Sequence, residues 1–139
     1  MKPKISPEEY RNIIESLDLD TLYLVELNSK FKEEFVSSNF CLEIDEKYTF
    51  EQESTILKII YTYKLSAKDE SKEDAAIKVQ AKYVVRYNIT KDVTISKEFM
   101  KVFSDLTLGM LLWPYFRELI NNSVYRMGMP TLVLPLKVR

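Results

Sequence analysis

The chain has 139 residues, with 20 Lys and Arg against 21 Asp and Glu and a formal net charge of -1. That is the length of one domain, enough to bury roughly two-thirds of its unfolded surface. No basic cluster gives nucleic acid an electrostatic footprint, and no apolar run reaches the ~18–20 residues of a bilayer crossing. There is no histidine, and Gly109 and Gly128 are the only glycines. Histidine-based triads, histidine-ligated zinc and a glycine-rich phosphate loop are thereby excluded. The lone Cys41 cannot form an intramolecular disulfide, and the N-terminus lacks the apolar core of a signal peptide. The expectation is a cytoplasmic non-enzyme with no catalytic residues, no cofactor and no metal.

Ser6-Pro7-Glu8-Glu9 is a capping box with proline at the first helical position. Tyr10, Ile13, Ile14 and Leu17 follow at helical spacing. They predict a short helix within residues 1–20, ending near Asp18–Asp20 and docked on the domain edge. From Leu22 the period becomes two. Tyr23, Val25, Leu27, Phe31 and Phe35 share one parity, and Glu26, Asn28, Lys30, Lys32 and Glu34 hold the other, as in a long half-buried strand. A second strand sets Phe40, Leu42 and Ile44 inward against Cys41, Glu43 and Asp45. Tyr48 and Phe50 keep its alternation through a stretch that reads as strand extension or bend. The third faces Leu57, Ile59, Tyr61, Tyr63 and Leu65 inward, with Lys58, Thr62 and Lys64 outward. After a charged loop from Ser66 to Asp74, the fourth faces Ile77, Val79, Ala81, Tyr83, Val85, Tyr87 and Ile89 inward. Four successive strands over residues 22–90 predict an antiparallel meander with one wet face.

Ser96 and Glu98 introduce an apolar linker or short helix through Phe99, Met100, Val102, Phe103 and Leu106. The almost wholly apolar run Leu106 to Trp113 then opens a long helix, with Pro114 in its first turn. Phe116, Leu119, Ile120, Ser123, Val124 and Met127 make its apolar-to-small stripe. Arg126 suits the C-terminal dipole, Gly128 supplies a left-handed cap, and Pro130 forbids continuation. Leu132, Leu134 and Leu136 follow in an extended segment. The expected class is α+β over a single domain, 1–139. In it a four-stranded meander packs on one long C-terminal helix (residues 96–139 with the closing segment), beside a short N-terminal helix.

Trp113-Pro114-Tyr115-Phe116-Arg117-Glu118, then Gly128, then Pro130-Thr131-Leu132-Val133-Leu134-Pro135, resembles the signature region of SecB, the bacterial export chaperone. The strand-strand-strand-strand-helix order is also that of the SecB domain. The resemblance implies an ATP-independent chaperone holding unfolded or pre-secretory polypeptide in apolar grooves. It also implies a homo-oligomer, with sheets joined edge to edge and helices sandwiched into a dimer of dimers. A groove that accepts many clients needs aromatic and flexible apolar groups. The candidates are Phe40, Tyr48 and Phe50 on the second strand, with Leu112, Trp113 and Met129 bordering the helix. Asn121, Asn122 and Ser123 are candidates for helix contacts across a twofold. The run Leu106–Trp113 gives a physical reason to associate, since one sheet and one helix cannot hide it all.

Two features depart from the export chaperones. The chain stops at Arg139, before their second helix and acidic tail. Lys58, Lys64, Lys78, Lys82 and Arg86 also make the outward sheet face basic rather than acidic. Both bear on docking to the SecA motor, so weak or no SecA binding is expected. A dedicated client, such as the antitoxin of a toxin–antitoxin–chaperone system, becomes credible, with no nucleic acid and no membrane insertion. The alternative is a non-chaperone oligomeric scaffold or small-ligand-binding domain on the same fold.

Overall fold

The computed structural model describes residues 5–129. The expected closing segment, Pro130 to Leu136, therefore lies outside the described residues. Helix α1 spans Pro7–Glu15, with Ser6 accepting from the Glu9 N–H as its cap. It stops sooner than its apolar spacing predicts. Ser16 donates both its N–H and its hydroxyl to the Ile13 carbonyl, and β1 (Leu17–Phe31) begins at once. Leu17, Asp18, Leu19 and Asp20 already alternate with period two, and the strand partner Ile89 claims Leu17.

Strands β2 (Cys41–Glu53), β3 (Ile56–Lys68) and β4 (Ile77–Ile89) complete one antiparallel sheet in the order β1-β4-β3-β2. Only β2, β3 and β4 form a meander; the expected pairing of the first strand with the second does not occur. Residues 32–40, with a 3-10 turn at Glu33–Phe35, carry the chain over the end of the sheet instead, in a Greek-key order. The reason lies in β4. Its inward residues from Ile77 to Ile89 are all buried, and Val84 on its other face is buried too. The most deeply buried strand takes a central place, and β1 joins its free side. Strands β2 and β3 meet through Ser54-Thr55, where Ser54 adopts a positive φ of 56°.

Strand β1 also departs from simple alternation. Register shifts between Leu19 and Thr21 and between Leu24 and Glu26 leave Asp20 and Val25 as bulged residues. Each bulge flips the parity. Leu19, Leu22, Leu24, Leu27 and Phe31 lie opposite inward residues of β4, whereas Tyr23 lies opposite Val84 on the outer face. The expected single face of Tyr23, Val25, Leu27, Phe31 and Phe35 is thus divided, and Phe35 belongs to the crossover.

The linker after Ile95 is a helix, α2 (Lys97–Phe103), capped by Ser96 on the Phe99 N–H. A π-helical turn at Ser104–Leu108 joins it to α3 (Gly109–Arg126). Pro114 consequently sits inside α3, not in its first turn. Its missing N–H would have met the Met110 carbonyl, on the exposed side of the helix, where water is an available partner. The stripe behaves as its spacing requires: Phe116, Ile120 and Val124 are buried against the sheet. Gly128, at φ 73°, completes a Schellman cap. Its N–H bonds to the Tyr125 carbonyl and that of Met129 to Val124.

Candidate functional site

The centre of the sheet–helix layer is aromatic. Tyr63 stacks on Phe116 at 4.3 Å and lies 5.1 Å from Tyr61, 6.2 Å from Tyr83 and 6.1 Å from Trp113. The Tyr63 hydroxyl is buried without a hydrogen-bond partner among the described residues, and burial pushes its pKa up. Leu112 is wholly buried and Trp113 is 7% exposed. Both candidate groove residues on α3 therefore belong to the packed layer in this chain. Arg117 and Glu118 of the same signature sit on the helix beside them, one half-buried and one exposed.

The candidates on β2 are placed differently. Phe40, just before the strand, is half-buried against the core, as are Ile44, Tyr48 and Phe50. Ile44, Tyr48 and Phe50 face Leu65, Tyr61 and Ile59 of β3, so they share the helix side of the sheet. Among the described residues no helix packs closely over this edge strand, and Leu42 is exposed there. Among the described residues the result is a shelf from Phe40 to Phe50, apolar but for Glu46 in its middle, continuous with the core and open along one side. Tyr61 reaches onto it, donating to Glu46 Oε1 at 2.8 Å. At the far end Gln52 bonds both the Val93 carbonyl and the Ile95 N–H, closing the shelf. Met129 packs half-buried just beyond the α3 cap.

The opposite face of the sheet carries charge. Lys58, Lys64, Lys78, Lys82 and Arg86 project from the two central strands, while Glu43, Asp45, Glu51 and Glu53 project from β2. Between Asn28, Lys30 and Lys78 on one side and Glu43 and Asp45 on the other lies an open concavity of about 350 Å³. Its walls suit a polar ligand and not an apolar segment.

Further apolar side chains are exposed, of which the sequence marked only those in the run Leu106–Trp113. Leu19, Leu24 and Leu27 on the helix side of β1 are exposed, as is the bulged Val25 at 56%. On α3 and the turn before it, Leu106, Met110, Tyr115 and Tyr125 are also exposed, Tyr125 at 74%. Allowing for bulges at both Asp20 and Val25 would have revealed the β1 leucines in sequence. Of the proposed interface residues, Asn121 and Asn122 are exposed, and Asn122 Oδ1 accepts from Arg126 Nε at 2.6 Å. Ser123 turns toward the sheet instead and is buried. No described helix is long and apolar enough to cross a membrane.

No protein-family model matches the sequence, and no curated protein matches it. Among solved structures, the chain superposes on the SecB-like chaperone of Mycobacterium tuberculosis in complex with a ChAD peptide from the HigA1 antitoxin. The TM-score is 0.78 at 11% identity, over 93% of this chain and 96% of that one. A Streptococcus agalactiae protein of unknown function matches at a TM-score of 0.42 and 10% identity, over 86% of this chain and 97% of that one.

Proposed function

We infer that this SecB-like fold serves as an ATP-independent chaperone holding extended polypeptide against the open apolar shelf of β2. The carrying observation is that shelf: Phe40, Ile44, Tyr48 and Phe50 are continuous with the core yet half-open, on a fold whose M. tuberculosis counterpart holds an antitoxin peptide. Side chains of this kind gain from burying a client's apolar groups without demanding one sequence. Leu112 and Trp113 pack in the core layer on the same side of the sheet as the shelf, and Met129 is proposed to border it. An antitoxin is the proposed client, and the cytoplasm the proposed compartment.

The exposed leucines of β1 and the outward aromatics of α3 favour self-association into a dimer or a dimer of dimers. SecA is not a partner in this reading, because the central strands present five cations and the face lacks a single-signed acidic patch. Calorimetry with SecA at moderate salt should show no submicromolar complex.

The deciding experiment is aggregation of a chemically unfolded client. Equimolar oligomer should delay it, with ATP changing nothing. Tight binding of a small polar metabolite in the outer concavity, with no effect on aggregation, would favour a ligand-binding domain instead.

A further inference from the structure

The outer face of the sheet sorts its charges by strand at the end beside the crossover. A row of side chains runs Lys30, Lys78, Ser66, Glu43 from β1 to β2, basic at one end and acidic at the other. The next row sets Gln80 of β4 beside Lys64 and Asp45. Both rows line the concavity of about 350 Å³, a volume in the range of small-molecule sites. Like charges directly opposed across a strand pair repel. Lys30 nevertheless faces Lys78, and of the two only Lys78 has an ionic partner among the described residues, Asp74 at 3.2 Å. Asp45 lies opposite Lys64 without forming a salt bridge, and among the described residues Glu43 forms none either. Neighbouring contacts hold the floor in place. Asp74 ties Lys78 to Lys32 of the crossover, and Gln80 Nε2 donates to Glu26 Oε2 at 2.9 Å. Charges supported from behind yet unpaired in front are arranged to meet a ligand.

We propose that this concavity binds a small zwitterion whose carboxylate and ammonium lie at opposite ends of a short chain, as in an ω-amino acid. The carboxylate lies toward Lys30 and Lys78, the ammonium toward Glu43, and the chain crosses Ser66 and Gln80 between them. Neighbouring strands stand about 4.8 Å apart, so β4 and β2 are separated by roughly 9–10 Å, with side chains reaching inward from both. An α-amino acid, with both charges on one carbon, is too short to satisfy the two ends. Lys64 partly offsets Asp45, which makes Glu43 the stronger ammonium partner. The shelf lies on the other face of the sheet, so ligand and client do not compete.

The test titrates the full-length protein with glycine, γ-aminobutyrate and ε-aminocaproate, and with caproate and hexylamine as probes of one charge each. Amide NMR shifts report the binding. Affinity should rise at least about tenfold from glycine to ε-aminocaproate. Caproate and hexylamine should each bind about fivefold more weakly than the zwitterion of the same length. The shifts should centre on Ser66 and Gln80. Glu43→Gln should weaken ε-aminocaproate about fivefold and leave caproate unchanged, and Asp45→Asn should do less. Lys30→Gln should weaken caproate and ε-aminocaproate alike and spare hexylamine. These three side chains are exposed, and circular dichroism checks the fold.

Equal binding of caproate and ε-aminocaproate would overturn the proposal, because the face would then only attract anions. Equal binding of glycine would overturn it too, as would shifts centred on Tyr48 and Phe50, which would assign the ligand to the shelf. No shift with ε-aminocaproate up to about 20 mM would do the same. Delay of client aggregation by the same protein would leave the holding function standing in each of these cases. Conversely, the expected ligand series without any delay of aggregation would uphold this site and remove the holding function.

Discussion

Tyr63 of β3 lies flat on Phe116 of α3, ring centroids 4.3 Å apart and planes inclined by 9°. Both rings are fully buried, so this pair clamps the helix to the middle of the sheet. Yet the Tyr63 hydroxyl finds no partner there among the described residues. Leaving such a group unsatisfied costs about 1–3 kcal/mol. Tyr63→Phe should therefore leave stability unchanged or raise it by about 1 kcal/mol, whereas Phe116→Ala should cost about 3–5 kcal/mol. Urea unfolding of the two variants checks both, and a marked loss for Tyr63→Phe would show that the hydroxyl is bonded.

Trp113 and Phe50 separate scaffold from site. Trp113 packs 6.1 Å from both Tyr63 and Phe116, so Trp113→Ala should cost about 3–5 kcal/mol. Phe50 is only half-buried on the shelf. Phe50→Ser should cost less stability and reduce client affinity severalfold. Melting temperature and peptide affinity measured on the same two variants give the contrast. A Trp113→Ala protein with unchanged melting temperature and lost binding would place the tryptophan in the groove.

The crossover is fastened by two carboxylates. Asp74 bridges Lys32 and Lys78, and the Lys32 ammonium holds its carboxyl well below the usual range. Asp69, held mainly by the Ser37 hydroxyl, is lowered to about 2. Carboxyls depressed in the folded state contribute stability that is complete above about pH 4 and lost as pH falls through the folded values. Melting temperature should thus fall between about pH 4 and pH 2. The fall should be smaller in Asp74→Asn, which already lacks the pairing at neutral pH. Equal acid sensitivity in the two proteins would show that the bridge contributes nothing.

Association is expected through the apolar surfaces of β1 and α3. Light scattering over a dilution series should show a dimer or tetramer. Leu24→Lys with Tyr125→Lys, both on exposed positions, should shift it toward monomer at little cost to the fold. A monomer at micromolar concentration in the parent chain would refute the interface.

Local rules made much of the chain legible before folding. The Ser6 capping box, the Gly128 stop and the α3 stripe each depend on residues within a turn of one another, and each forms as its spacing requires. Strands β2, β3 and β4 follow their alternation because period-two faces are also local. The aromatic-Pro-Tyr segment pointed to the SecB-like fold, and the superposition shows that fold.

Tertiary structure decided where strands and faces ended up. β1 pairs with β4 rather than β2, and β4, with Val84 buried on its second face, thereby gains neighbours on both sides, a demand that no short window expresses. Bulges at Asp20 and Val25 reverse a parity that simple alternation carries through unchanged. Leu112 and Phe50 are both apolar in sequence. Only the path of α3 over the sheet makes one of them core and leaves the other on an open shelf, because burial depends on what the rest of the chain covers.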